Sequence, residues 1–319
     1  MPKNIVIVGP TACGKSQMAI DLVDLYRTQK SHVDKFPTSI ISLDSMQIYK
    51  GMEIGTGVVP EAERKDVKHH MISFISPTLK YNVKEFQEDV YTILDSNKKD
   101  SFVLVGGTGL YTHAVIDGFS FAPSSEDIRK QIIEEYQLDE NDPNEVYVKR
   151  AYETLRNLDS QAAERIDPKN VRRIIRALEA IEISGEKFSE SGEGVQAFGD
   201  PKIDVEMIGL RYSRENLRKR IEFRVDEMFR SGWIDEVKKL LPIWGEIVTP
   251  AKNAIGYIPI RDWILNGERT SGMDDLKDQI INRTAQFSRR QRKWFERDPR
   301  IKWIDCDGLN HEEILELLY

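Results

Sequence analysis

Residues 9–16 read Gly9-Pro10-Thr11-Ala12-Cys13-Gly14-Lys15-Ser16, a G-x-x-x-x-G-K-[ST] spacing that suits a bound anion. In such a loop, backbone N–H groups and the positive end of the following helix converge on phosphate oxygens. Lys15 adds a point charge, and the Ser16 hydroxyl offers an oxygen to Mg2+. The expected occupant is a diphosphate or a nucleotide. A second group of interest is Asp44, which opens Asp44-Ser45-Met46-Gln47. A carboxylate facing a bound diphosphate has three readings: a general base for an incoming nucleophile, a water-mediated Mg2+ ligand, or a helix N-cap.

The elements around these residues supply the context that a bare motif lacks. Residues 5–8 form a short continuous apolar run, which predicts a buried parallel strand, and a helical pattern follows from Gln17. Residues 38–43 and 101–105 predict two further buried strands, the first ending at Asp44 and the second at Gly106-Gly107-Thr108. Asn82 with Glu85 predicts a capped helix carrying Val83, Phe86, Val90, Ile93 and Leu94 on one face. Strands alternating with helices around a phosphate loop predict an α/β fold, a P-loop doubly wound parallel-sheet core with its ligands beyond the C-terminal strand ends. Lys15, Asp44 and Thr108 all fall at such ends. The strand that usually carries an acid for Mg2+ in nucleotide hydrolases ends here in Gly106-Gly107. That tilts the chemistry away from NTP hydrolysis and toward diphosphate as a leaving group.

Beyond residue 120 the texture changes. Residues 128–183 are charged and helical, residues 184–200 are a Gly/Ser-rich loop, and strand character returns at residues 205–210. The predicted organisation is a core of residues 1–119 and 201–319, helical toward its C-terminus, with a helical insertion at 120–200. Net charge is −7, yet residues 170–176 carry Arg172, Arg173 and Arg176 without an acid, and residues 281–302 are strongly basic. Local basic patches, not the total, decide whether phosphates are attracted. The two cysteines, Cys13 and Cys306, and the five histidines lack metal-ligand spacing. No apolar run is long enough to span a bilayer, and the N-terminus leads directly into a strand. A cytoplasmic, reduced protein without membrane contact is the expectation.

Several stretches in this order resemble the bacterial tRNA dimethylallyltransferases, the tRNA isopentenyltransferase or IPP transferase family. They are the phosphate loop, residues 41–56 around Asp44, His69-His70, Gly106-Gly107-Thr108-Gly109-Leu110-Tyr111, residues 173–179, residues 217–226, Ala254-Ile255-Gly256-Tyr257, and Arg290-Gln291-Arg292-Lys293-Trp294-Phe295. The resemblance implies transfer of the dimethylallyl group from dimethylallyl diphosphate to N6 of adenosine 37 in tRNA, with Mg2+ and with release of diphosphate. It implies Asp44 as the base, Thr11 at the bridging diphosphate oxygen, and Gly9, Pro10, Ala12, Cys13, Gly14, Lys15 and Ser16 around the phosphates. Arg220 and Arg224, at i and i+4, would stabilise the departing charge. Asp44, Ser45, Met46, Gln47, Thr108, Arg129 and the segment Arg172, Arg173, Ile174, Ile175 and Arg176 would contact tRNA, with the insertion gripping its anticodon stem. A monomer is the expectation. Departures include Cys13 for the usual Ser, Lys68 for Pro, Ile258-Pro259 for Lys-Glu and Ala285 for Arg. An adenylate isopentenyltransferase acting on AMP, ADP or ATP is the alternative, and a P-loop kinase a more distant one.

Overall fold

The computed structural model describes residues 4–28, 37–97, 100–139, 144–191, 198–267 and 272–318. The first half of the core runs β1 (Asn4–Val8), α1 (Lys15–Thr28), β2 (Pro37–Leu43), α2 (Glu53–Thr56), β3 (Lys68–His70), α3 (Val83–Ser96), β4 (Ser101–Gly106) and α4 (Gly109–Asp117). Four helices follow: α5 (Glu126–Tyr136), α6 (Glu145–Leu158), α7 (Ser160–Arg165) and α8 (Val171–Ser184). The chain then returns with β5 (Val205–Arg211), α9 (Arg214–Arg230), α10 (Trp233–Leu240), α11 (Thr249–Lys252), α12 (Tyr257–Leu265), α13 (Met273–Phe295), β6 (Lys302–Asp305) and α14 (His311–Leu318).

The six strands form one parallel sheet in the order β3-β2-β4-β1-β5-β6. Val6, Ile7 and Val8 are completely buried, as are Val103 and Leu104 on β4. Side chains of a central parallel strand meet helices on both faces, so these strands are apolar without alternation. α3 begins with the capping box expected of Asn82 and Glu85: Asn82 Oδ1 accepts from Lys84 and Glu85 N–H, and Glu85 accepts from Asn82 N–H. Two short strands are not anticipated from the sequence. β3 is three polar residues, and β6 is four residues with exposed ends. Both lie at sheet edges, where short polar strands are usual. The glycine-punctuated stretch after Asp44 contains the one-turn helix α2.

The chain folds as two compact units, residues 1–117 with 198–319 forming the larger and residues 118–197 the smaller. Each unit has its own apolar core, and that of the smaller unit gathers Ile132, Leu155, Ile174, Ile175 and Leu178. α8 supplies the centre of it: with apolar residues three and four apart, one face is buried while Arg172 and Arg173 face outward.

In the larger unit, the end of α13 is tied to α4 through a buried polar chain. Trp294 Nε1–H donates to His113 Nδ1 at 2.8 Å, and His113 Nε2 lies 3.0 Å from Asp298 Oδ2. Arg300 donates to both oxygens of Asp298 and also to Asp117 at 2.6 Å. Burial alone would push the Asp298 carboxyl up, but the bonds from His113 and Arg300 outweigh it and hold the group well below the usual carboxylate range. A depressed folded-state value adds stability that is complete above the unfolded value of about 4 and disappears as pH falls below it. The melting midpoint should therefore drop as pH is lowered from about 5 to about 3. Asp298→Asn should be less stable at neutral pH and show a flatter acid dependence. An unchanged acid dependence in that variant would remove Asp298 from the acid response.

Candidate active site

The phosphate loop, residues 9–14, joins β1 to α1. Gly9 has φ +147°, and a Cβ there would lie 2.5 Å from the Leu210 carbonyl oxygen. Only glycine lets the loop leave β1 this close to β5. Ala12 adopts a left-handed φ of 67°, and its carbonyl accepts from Arg220 Nε at 2.9 Å. Arg220 comes from α9 and lies over the Tyr212 ring at 4.6 Å. Its guanidinium is thereby fixed beside the loop. Lys15 Nζ donates to the Pro10 carbonyl at 2.7 Å, so the ammonium curls back over the loop. The first N–H groups of α1 have no intrahelical acceptor, which leaves them for an anion.

Opposite the loop, Asp44 follows β2. Its Oδ1 accepts from Met46 N–H at 2.8 Å. Gly107 gauges where Oδ2 points: a Cβ built on it would lie 3.1 Å from Asp44 Oδ2, 3.3 Å from Gln291 Nε2 and 4.0 Å from Lys15 Cε. A carboxylate, an amide and the lysine stem thus converge on the space over a residue without a side chain. Desolvation raises the Asp44 carboxyl above its ordinary value, only partly offset by the Met46 and Gln47 N–H groups and the charges of Lys15 and Arg224. Burial likewise lowers Arg224, against the pull of Asp44. A carboxylate that holds its proton more tightly than usual is the better base for a weakly acidic N–H.

Gln291, which lies within the Arg290–Phe295 stretch but receives no role from the sequence, is also a site residue. Its Oε1 accepts from Thr11 N–H at 2.8 Å, and its Nε2 donates to the Gly107 carbonyl at 2.7 Å. One amide from α13 therefore ties the phosphate loop to the turn after β4. The available signal was a glutamine inside the apolar stripe of a helix, a position where an uncompensated polar group is costly.

The other expected site residues divide by what they touch. Ser45 N–H and Oγ both lie 3.2 Å from Thr108 Oγ1, joining the two strand-end turns. Gln47 accepts from Ser42 Oγ at 2.7 Å and donates to the Gly57 carbonyl at 3.0 Å. Its amide ties the loop after β2 together. Met46 is partly buried against the core. In the smaller unit, Ile174 and Ile175 have no exposure at all. This corrects the expectation that they touch tRNA, since their side chains are the core that holds α8 in place. Arg129 and Arg176 also differ from the outward-facing pair. Both donate to Glu179, a carboxylate only 1% exposed that also accepts from Ser125 N–H. Arg176 further donates to the Ala122 and Pro123 carbonyls at 2.5 and 2.7 Å.

This difference predicts two distinct phenotypes. Arg173→Ala should raise the apparent KM for a phosphate-bearing partner and reduce the salt slope by about one. Arg176→Ala should instead destabilise residues 118–197 by about 1–3 kcal/mol, because the Ala122 and Pro123 carbonyls lose a charged donor and Glu179 loses one of its partners. Salt-dependent binding and thermal unfolding separate them, and equal salt slopes for the two variants would refute the distinction.

Among the described residues, no group of three or more His, Cys, Asp or Glu could hold a metal. Mg2+ requires no such group: it keeps several waters and binds through one or two protein oxygens plus substrate phosphates. The Ser16 hydroxyl, at the start of α1 behind the phosphate loop, is the kind of oxygen that such loops offer to the ion. No helix among the described residues is long and apolar enough to cross a membrane.

A family model described as IPP transferase matches residues 47–298. The chain is similar to the tRNA dimethylallyltransferase of Fusobacterium nucleatum, 36% identical over 317 residues that span 99% of this chain and 96% of that protein. The crystal structure of the tRNA isopentenylpyrophosphate transferase of Bacillus halodurans is 31% identical, with a TM-score of 0.66 over 100% of this chain and 94% of the other. A eukaryotic dimethylallyltransferase crystallised acting on tRNA is 24% identical, with a TM-score of 0.78 over 98% of this chain and 76% of that one, and shares the fold.

Proposed function

The chain belongs to the IPP transferase family, and from that premise we propose that it transfers the dimethylallyl group from dimethylallyl diphosphate to N6 of adenosine 37 in tRNA. The observation that carries the reading is the convergence of Asp44 Oδ2, Gln291 Nε2 and the Lys15 stem on the space over Gly107. The carboxylate is placed to take a proton, and the loop that carries Lys15 to receive a leaving diphosphate.

In this reaction the N6 lone pair forms the new N–C bond to the allylic carbon. The C–O bond breaks, its electrons leave with diphosphate, and the N6 proton passes to Asp44 Oδ2. The allylic cation that develops is delocalised, so the barrier depends mainly on neutralising the departing oxygens. Backbone N–H groups from Gly14 to Ser16, Lys15 and Arg220 do this in the proposed arrangement, with Thr11 at the bridging oxygen and Arg224 screening Asp44. Mg2+ held at Ser16 would add Lewis-acid stabilisation of the diphosphate. The adenine must leave its stack to reach this site, and a single-stranded anticodon loop makes that extrusion easier.

Arg172 and Arg173, with residues 118–197 as their scaffold, would meet the anticodon stem; Thr108 and Ser45 would meet the extruded nucleotide. The protein would act as a monomer in the cytoplasm. β4 lies beside β1 and ends in glycine rather than an acid, which speaks against a nucleotide hydrolase or kinase. Incubation with labelled dimethylallyl diphosphate and either unmodified tRNA or AMP is the direct test. N6-isopentenyladenosine should appear in digested tRNA; label entering AMP alone would replace this reading with the adenylate alternative.

A further inference from the structure

Far from the reacting atoms in sequence, Glu236 on α10 is a 7% exposed carboxylate with three donors. Its Oε2 accepts from Ile54 N–H at 2.7 Å, and its Oε1 from Gly55 N–H at 3.0 Å and Tyr257 Oη at 2.7 Å. Tyr257, fully buried at the start of α12, also approaches the Met52 carbonyl at 2.8 Å. These bonds seize both sides of the first turn of α2. A helix of one turn cannot sustain itself by internal hydrogen bonds. Its geometry is imposed by this carboxylate on its free N–H groups.

The other end of α2 touches both flanks of Asp44. The Gly57 carbonyl accepts from Gln47, whose own N–H holds the Asp44 carboxylate. Arg224 lies so close over Gly57 that a Cβ there would sit 1.8 Å from Arg224 Nη2. Arg224 is also one of the charges that act on Asp44. The guanidinium thus occupies a slot whose floor is the left-handed residue ending α2, at φ +68°.

We propose that Glu236 and Tyr257 are positioning residues for transfer, which hold α2 so that its C-terminal glycine seats Arg224 beside Asp44. The pair touches no substrate in this arrangement and acts through Arg224 and Gln47. The inference rests on the transferase reading above.

A double-mutant cycle with Arg224 distinguishes positioning from simple support, because losses through one shared element are not additive whereas independent losses multiply. Transfer from dimethylallyl diphosphate to unmodified tRNA would be measured well below each variant's melting midpoint, with kcat normalised to folded protein. Glu236→Ala is expected to lower kcat by about ten-fold with KM for the diphosphate little changed. In an Arg224→Ala background the same change should cost less than about two-fold more. Tyr257→Phe removes one oxygen and keeps the packed ring, so it serves if Glu236→Ala does not fold. About a five-fold loss, again absorbed in the Arg224→Ala background, is expected. Losses that multiply with that of Arg224→Ala, or a lower melting midpoint with unchanged kcat, would overturn the proposal. Absence of transfer by the unaltered protein would instead overturn the reaction itself.

Discussion

Asp44→Ala is expected to lower single-turnover transfer by about a thousand-fold, within the range that a positioned general base supplies. Binding of the diphosphate donor should survive, because no bond from Asp44 to the phosphate loop contributes to that cradle. Asp44→Asn should be nearly as slow: it keeps the shape and the bond from Met46 N–H but cannot take a proton. The pH dependence has a definite sign. Only the ionised carboxylate is a base, and desolvation raises its folded-state value, so activity should climb with pH through an acid limb lying above the ordinary aspartate value of about 4. Burial sets that limb, opposed by the Met46 and Gln47 N–H groups and by the charges of Lys15 from α1 and Arg224 from α9. Removing the charge of Arg224 should move the limb to higher pH, because a nearby cation favours the ionised form. Near-normal turnover of Asp44→Ala would take the base role away from this residue.

Arg220→Ala should produce the second large effect, a loss of about 10²- to 10³-fold in kcat, comparable to deleting one preorganised donor at a developing oxyanion. Two consequences of the substitution act together. The guanidinium over Tyr212 disappears from beside the loop, and the Ala12 carbonyl loses the donor that holds its left-handed turn. Lysine at position 220 should rescue little, since a point ammonium cannot both stack on the ring and donate through a planar fork. Transfer kinetics paired with inhibition by inorganic diphosphate provide the check. Product diphosphate should inhibit the variant more weakly, and an unchanged inhibition constant with normal kcat would show that Arg220 is not a diphosphate contact.

Much of this site is written locally. The phosphate loop is legible because eight consecutive residues must satisfy one backbone geometry: Gly9 where β5 approaches, and Lys15 and Ser16 where α1 begins. Asp44 is legible as a strand-end residue for a similar reason, since a buried parallel strand stops where its ligands start. The charged faces of residues 170–176 are visible too, but periodicity does not say which arginines face solvent. Arg173 does, whereas Arg176 reaches back to the Ala122 and Pro123 carbonyls 54 and 53 residues away. The direction of a long side chain depends on acceptors that other elements supply.

Short-range order in the chain determined the α/β class, the anion loop, the position of the carboxylate and the presence of a separate helical stretch, because each depends on contacts within a few residues. Only the tertiary structure decided that Gln291 joins the loop to Gly107, that Glu236 and Tyr257 clamp a one-turn helix, and that Arg176 turns inward to Ala122 and Pro123. Those contacts connect residues that lie from 21 to 280 apart in sequence, or set the packing of whole helices. Their partners are chosen by how the sheet and helices stack, and no local periodicity encodes that choice.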